Sequence, residues 1–131
     1  MGIMRYVQIS AVATSILMYC LPAVAFEAKA FDAGAFEAAQ AAGKPVLLEI
    51  NAPWCPTCRA QRPILEKLGG EQKFASVVAF TIDFDSQKDL LRRFNVRVQS
   101  TLISFRGRKE VARSTGETSS AAIEAQLDKS I

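Results

Sequence analysis

The stretch VLLEINAPWCPTCR, residues 46–59, decides how the rest of the chain is interpreted. An apolar run leads directly into two cysteines, Cys55 and Cys58, and a helical pattern follows them. A CxxC motif that is entered from a strand and continues into a helix is typical of a redox dithiol. Two thiols at this spacing can form a small disulfide ring and open it again. The motif therefore predicts electron exchange with the cysteines of other proteins.

Composition limits the alternatives to this interpretation. The chain has 131 residues, of which 50% are hydrophobic and 22% charged, and this suits one domain with its own core. The net charge is +3, and the basic residues are dispersed rather than interleaved with aromatic ones. Binding to nucleic acid is therefore not expected.

Residues 1–25 are predicted to be a cleaved signal peptide, and residues 26–131 to be the folded domain. A basic residue precedes an apolar run over residues 7–21, and an A-x-A cleavage pattern ends at Ala25. The run is shorter than the roughly 20 residues of a membrane-spanning helix. We expect cleavage near Ala25 and a periplasmic or secreted protein. An uncleaved membrane anchor and lipid attachment at Cys20 are the alternatives.

The number of cysteines separates redox chemistry from other uses of a CxxC motif. Removal of the signal segment would leave Cys55 and Cys58 as the only cysteines. Disulfide-stapled exported proteins use several distant pairs, so this pair is interpreted as reactive rather than structural. A structural zinc site needs four Cys or His ligands, and the chain has no histidine. No metal or cofactor is predicted for one chain; a metal or cluster held between two chains by paired motifs stays open.

Hydrophobic periodicity predicts an α/β fold in which helices flank a sheet. We expect a central sheet of about four strands. The predicted helices cover residues 31–42, 59–68, 88–94 and 119–131, and the predicted strands cover residues 45–51, 77–84, 101–105 and 110–114.

The place of the motif at the start of a helix gives each cysteine a role. Cys55 is expected at the helix N-terminus, where unpaired amides and the helix dipole favour a thiolate. Pro56 suits the first helical position, since its missing amide would have had no partner there. Cys58 is expected beneath Cys55 and more buried, so that Cys55 attacks a partner disulfide and Cys58 resolves the mixed disulfide. Trp54, Pro56 and Thr57 are the predicted contacts for a partner protein.

Two segments around the motif and beyond it carry a family resemblance. Residues 44–58, with the Pro-Ile-Leu tripeptide at 63–65 downstream, look like the thioredoxin family, and so do residues 94–105 through to Gly116. The resemblance covers nearly all of residues 30–131. It implies the thioredoxin fold, a central mixed sheet flanked by helices, with the dithiol at the tip of one helix.

Glu49 departs from the family's pattern. It stands where the family has a buried aspartate, whose carboxylate helps to move the proton of the resolving thiol. In an otherwise apolar strand, burial should raise the pKa of Glu49; the alternative is that its side chain reaches solvent at the end of the sheet. The family's lysine partner would fall near Thr81 or Ala79, so Glu49 is expected to lack its usual cationic neighbour.

Ser100 is a second substitution of this kind, because the family carries a cis-proline there, beside the dithiol. A cis bond before any other residue costs about 2.5–4 kcal/mol, so the Gln99–Ser100 bond is expected to be trans. The family grips substrates through backbone groups of this loop, which makes Gln99 and Ser100 candidate substrate contacts. The Ser100 hydroxyl could also reach the active-site sulfurs.

These features predict an exported thiol–disulfide oxidoreductase whose partners are protein thiols and disulfides. A membrane or periplasmic redox partner would supply or accept its electrons. The Pro-Thr dipeptide of the motif lacks the histidine of the family's strongly oxidising members, which favours the reductase direction. A binding or chaperone-like module with little turnover is the alternative that Ser100 suggests.

Overall fold

The computed structural model of the protein describes Gly2 and residues 26–131, so the predicted signal peptide and its cleavage site lie outside the described residues. The strands are β1 (Lys29–Ala30), β2 (Pro45–Asn51), β3 (Val78–Asp83), β4 (Thr101–Arg106) and β5 (Lys109–Thr115). The helices are α1 (Ala33–Ala41), α2 (Pro56–Gly69), α3 (Lys88–Arg93) and α4 (Ser120–Asp128), with a 3₁₀ turn at Gln72–Phe74. Within this described part, no helix is both long enough and apolar enough to cross a membrane.

The five strands form one mixed sheet in the order β1-β3-β2-β4-β5, with β2 at its centre. β1, β3 and β2 run parallel, whereas β4 is antiparallel to β2 and β5 is antiparallel to β4. The predicted mixed sheet flanked by helices is confirmed, with one strand more than expected. β1 is two residues long, which is too short to give a hydrophobic pattern in the sequence.

The central strand β2 divides the core into two layers, because successive side chains of a strand point to opposite faces of the sheet. Leu47 packs in the layer that contains α2 and α4. Val46, Leu48 and Ile50 pack in the layer that contains α1 and α3. Glu49 follows Leu47 by two residues and therefore faces α2, the helix that carries the cysteines.

The segment before β1 crosses the end of α2. The amide of Phe26 donates a hydrogen bond of 2.8 Å to the carbonyl of Gly69, and the Phe26 ring is buried in the α2–α4 layer. A Cβ added at Gly69 would lie 2.5 Å from the Phe26 carbonyl oxygen. Glycine is therefore needed at this crossing.

Candidate active site

Cys55 and Cys58 form a disulfide at the N-terminus of α2. Cys55 is the N-cap residue, and its Sγ accepts a hydrogen bond of 3.0 Å from the amide of Cys58. Pro56 takes the first helical position, as predicted. The helix begins here because Pro56 has no amide to leave unpaired and the Cys55 sulfur satisfies another of the free amides. In the reduced protein the same amide would stabilise negative charge on the Cys55 sulfur.

The expected difference in burial between the two cysteines is wrong for this oxidised state. Cys55 is 0% exposed and Cys58 is 8% exposed. Phe84, from the loop after β3, packs against the cluster that Cys55 and Cys58 form with Ala52, a contact that the sequence does not show. Burial therefore does not support the predicted roles of the two cysteines, whereas the position of Cys55 at the helix N-terminus agrees with them.

Trp54 lies on the surface beside the disulfide and is tied to the loop after β3. Its side chain is 53% exposed, and its indole Nε1 donates a hydrogen bond of 2.9 Å to Asp85 Oδ2. Asp83 organises this loop by accepting from the amides of Asp85 and Ser86 and from the Ser86 hydroxyl. These hydrogen bonds, led by the Ser86 hydroxyl, hold the pKa of Asp83 below its ordinary value. The exposed indole face is thus presented in a fixed orientation.

Glu49 is partly buried under α2 and lies between two cavities. A cleft of about 510 Å³ is lined by Glu49, Arg62 and Thr81, among others. A smaller cavity of about 30 Å³ is lined by Glu49, Arg62 and Cys58. Burial raises the pKa of Glu49 from 4.5 to about 7, while the positive charge of Arg62 acts in the opposite direction. Glu49 can therefore exchange a proton near neutral pH, and it borders both an open cleft and the cavity beneath Cys58.

A positive charge lies near Glu49, but it does not come from the position of the family's lysine. Thr81 lies opposite Glu49 in the register of β3 and carries no charge, as the resemblance implied. The positive charge instead comes from Arg62 on α2, four residues after Cys58. Residues four apart share one face of a helix. Arg62 was not predicted from the sequence, and this spacing was the available signal.

The loop before β4 holds Ser100 in a constrained backbone conformation. Every peptide bond of the described residues is trans, including Gln99–Ser100, and Ser100 has a left-handed φ of 58°. Its amide donates to the carbonyl of Ile50 at 2.8 Å. Its hydroxyl donates to the Gln99 carbonyl at 2.5 Å, rather than to a cysteine sulfur. Gln99 is half-buried.

The remaining predicted partner contacts differ in accessibility. Pro56 is exposed and Thr57 is half-buried, and both lie at the same helix end as the disulfide. Gln61, whose side-chain amide joins α2 to Ser100, was not predicted from the sequence. A polar residue between Cys58 and Leu65 on the apolar face of a helix was the available signal. No signal pointed to Asp85, which is 31 residues from Trp54.

The described residues offer little to a metal ion. They contain no group of three or more His, Cys, Asp or Glu side chains arranged to hold one.

A mixed sheet whose central strand leads into a CxxC disulfide at a helix N-terminus defines a protein of the thioredoxin-like class. The model of the family described as Thioredoxin matches residues 26–129. The chain therefore belongs to the thioredoxin family.

Solved structures agree with this assignment. The crystal structure of Trxlp from Edwardsiella tarda matches with a TM-score of 0.75 at 40% identity, covering 77% of this chain and 98% of that one. A mutant thioredoxin from Halobacterium salinarum matches with a TM-score of 0.69 at 20% identity, covering 81% of this chain and 91% of that one. The second likeness bears on the fold alone.

Curated relatives match over part of their length. The bifunctional thioredoxin reductase/thioredoxin of Mycobacterium leprae is 35% identical over 92 residues, which are 70% of this chain and 20% of that protein. Thioredoxin H2-2 of Oryza sativa is 33% identical over 73 residues, which are 56% of this chain and 53% of that protein. The chain thus spans a fifth of the first relative and about half of the second.

Proposed function

We propose that the protein is a thiol–disulfide oxidoreductase that reduces disulfides of other proteins through Cys55 and Cys58. The observation that carries the proposal is the disulfide at the N-terminus of α2, with the Cys58 amide 3.0 Å from Cys55 Sγ. A helix N-terminus favours a thiolate at its cap residue, and the thiolate is the species that attacks a disulfide.

The reaction proceeds in two exchanges. The Cys55 thiolate attacks one sulfur of the substrate disulfide, forms a mixed disulfide and expels the other substrate sulfur as a thiolate. The Cys58 sulfur, once deprotonated, attacks Cys55 Sγ and expels the remaining substrate sulfur. Two electrons pass from the dithiol to the substrate, and Cys55 and Cys58 end as the disulfide seen in the structure. A reduced dithiol of another protein must then restore the pair.

Glu49 is the proposed acceptor of the Cys58 proton. Both residues line the cavity of about 30 Å³ beneath the disulfide, and the pKa of Glu49 is raised to about 7 by burial. A carboxyl group with such a pKa takes and returns a proton near neutral pH with little free-energy cost. The open cleft on the other side of Glu49 gives that proton a route to solvent.

Export of the protein from the cytoplasm is a further part of the proposal. The segment that matches the family model, residues 26–129, begins after Ala25, so cleavage there would leave it whole. Export would place the protein in a compartment that contains protein disulfides, where a membrane or periplasmic redox partner would return electrons to it. Mass spectrometry of the protein from an exporting host tests this step: a chain that begins at Phe26 supports it, and one that retains Met1 contradicts it.

Reduction of insulin disulfides with dithiothreitol as electron donor tests the activity. We expect Cys55→Ser and Cys58→Ser each to abolish turnover, while Ala60→Ser, at an exposed position of the same helix, remains active. Turnover by a variant that lacks both cysteines would refute the proposed reaction. A reduction potential near −120 mV, the strongly oxidising end of the scale, would overturn the reductase direction.

A binding or chaperone-like module is the second candidate, and Ser100 is the observation that favours it. The family's proline is absent there, and the Ser100 backbone is engaged in hydrogen bonds within the protein. Partner binding that survives the combined Cys55→Ser and Cys58→Ser substitutions, without turnover in the wild type, would establish this alternative.

A further inference from the structure

Gln61 is a buried amide in the helix that carries the dithiol. It lies three residues after Cys58 on α2 and is 3% exposed. Its Nε2 donates hydrogen bonds to two backbone carbonyls, that of Ser100 at 3.1 Å and that of Glu117 at 2.9 Å. Both protons of the amide are therefore used, and both acceptors lie in loops of the β4–β5 side of the sheet.

Ser100 needs such support because its backbone conformation is unfavourable. A residue other than glycine with a left-handed φ is disfavoured by contact between its Cβ and its own backbone. The Ser100 amide is held by Ile50, and its carbonyl accepts from Gln61 and, at 3.0 Å, from the amide of Gly116. Three hydrogen bonds thus fix the backbone of this residue. Gln61 supplies the only one of them that comes from α2.

The position of this loop relative to the dithiol follows from the sheet. β4 begins at Thr101, which pairs with Ile50 near the end of β2, and the CxxC motif follows directly after β2. The Gln99–Ser100 loop therefore lies at the same end of the sheet as the disulfide. Gln61, Ile50 and Cys58 also line one small cavity. Gln61 is the physical link between the helix of the cysteines and the loop.

We propose that Gln61 is a positioning residue that fixes the Gln99–Ser100 loop relative to the dithiol for the binding of protein substrates. No proline restricts the loop here, and the side-chain amide of Gln61 takes over that task through the Ser100 carbonyl. The inference rests on the proposed disulfide exchange. It assigns to Gln61 an effect on substrate binding and none on the reacting sulfurs.

The chain offers a matched control in Gln126 on α4. Gln126 is also buried, and its Nε2 donates to the carbonyl of Leu102 at 3.0 Å and to Ser104 Oγ at 3.3 Å. Gln61→Met and Gln126→Met each keep the length of the side chain and remove two hydrogen bonds. The two variants should lose similar stability, but only the first should change the loop beside the dithiol.

The test compares a protein disulfide with a small one. With insulin, Gln61→Met should raise KM at least tenfold with little change in kcat, and Gln126→Met should stay within twofold of the wild type. With the small disulfide DTNB, which does not need the loop, both variants should match the wild type. In the oxidised proteins, the amide of Gly116 should exchange with solvent faster in Gln61→Met alone.

Two results would overturn the inference while leaving the proposed function intact. The first is equal KM values for the two variants with insulin. The second is a Gln61→Met variant whose activity falls by the same factor with insulin and with DTNB. A wild type that reduces neither substrate would overturn the proposed function and this inference together. If Gln61→Met fails to fold, Gln61→Asn provides the same test, because its amide is one methylene too short to reach both carbonyls.

Discussion

The indole of Trp54 donates a hydrogen bond of 2.9 Å to Asp85, 31 residues further along the chain. This contact joins the CxxC motif to the loop after β3. The neighbouring residue in that loop, Phe84, packs against the Cys55–Cys58 disulfide. The cover over the disulfide is therefore attached to the aromatic residue that directly precedes Cys55.

Loss of this hydrogen bond should expose the disulfide. Trp54→Phe keeps an aromatic ring but removes the donor, so the loop around Phe84 should open more often. We expect dithiothreitol to reduce the disulfide several-fold faster, with a loss of no more than about 1 kcal/mol in the free energy of unfolding. Mass spectrometry after thiol labelling measures the rate. Asp85→Ala should speed the reduction as Trp54→Phe does, and Asp85→Asn should speed it less. An unchanged rate in Trp54→Phe would show that this hydrogen bond does not control access of dithiothreitol to the disulfide.

The raised pKa of Glu49 makes stability depend on pH. The folded protein holds a proton on Glu49 up to about pH 7, whereas the unfolded chain releases it near pH 4.5. The folded state thus binds more protons between these values, so stability should fall as the pH rises through this window. The loss should be at most about 3 kcal/mol.

Urea unfolding of the oxidised protein across this pH range measures the effect. Glu49→Gln should remove most of the dependence of the free energy of unfolding on pH, and it should be more stable than the wild type at the upper end of the range. Glu27→Gln should keep this pH dependence, because it changes an exposed residue at the rim of the same cleft. If Glu49→Gln retained the full slope, the group responsible would lie elsewhere.

Arg62 should tune the titration of Glu49. The positive charge of Arg62 favours the carboxylate and partly offsets the effect of burial. We therefore expect Arg62→Gln to move the pKa of Glu49 above its wild-type value of about 7, as followed by the carboxyl carbon signal in NMR. Arg59→Gln removes a charge from the same helix and should leave the titration unchanged. A downward shift in Arg62→Gln would contradict this assignment.

The crossing of Phe26 over α2 predicts a difference between two adjacent glycines. Gly69→Ala should cost about 1–3 kcal/mol in the free energy of unfolding, because its Cβ would lie 2.5 Å from the Phe26 carbonyl oxygen. Gly70→Ala should be close to neutral, since its nearest contact is 3.4 Å and its φ of −85° suits any residue. Urea unfolding of the two variants tests the pair, and equal effects would mean that the segment at Phe26 moves freely aside.

Much of the fold could be predicted because its signals are local. The strand predicted from the apolar run has the same first and last residues as β2, Pro45 and Asn51. The start of α2 follows from Pro56 and the cysteine before it. β1 escaped prediction, since two residues make no pattern and this strand exists only through its pairing with β3.

The site was predictable to a smaller extent, because its tuning depends on contacts between distant segments. The motif identified Cys55 and Cys58, and the strand position of Glu49 indicated a raised pKa. The cover by Phe84 and the hydrogen bond to Asp85 come from a loop with no sequence signal of its own. The expected difference in cysteine burial, which also depends on tertiary packing, was wrong.

Capture of the mixed disulfide tests the central claim most directly. Reduced Cys58→Ser and Cys55→Ser variants are each mixed with an oxidised protein substrate, and intact mass spectrometry follows the adducts. Because the helix N-terminus favours the thiolate of Cys55, we predict that Cys58→Ser accumulates an adduct through Cys55 and that Cys55→Ser forms little or none. An adduct formed mainly by Cys55→Ser would reverse the roles of the cysteines, and no adduct with either variant would contradict disulfide exchange at this site.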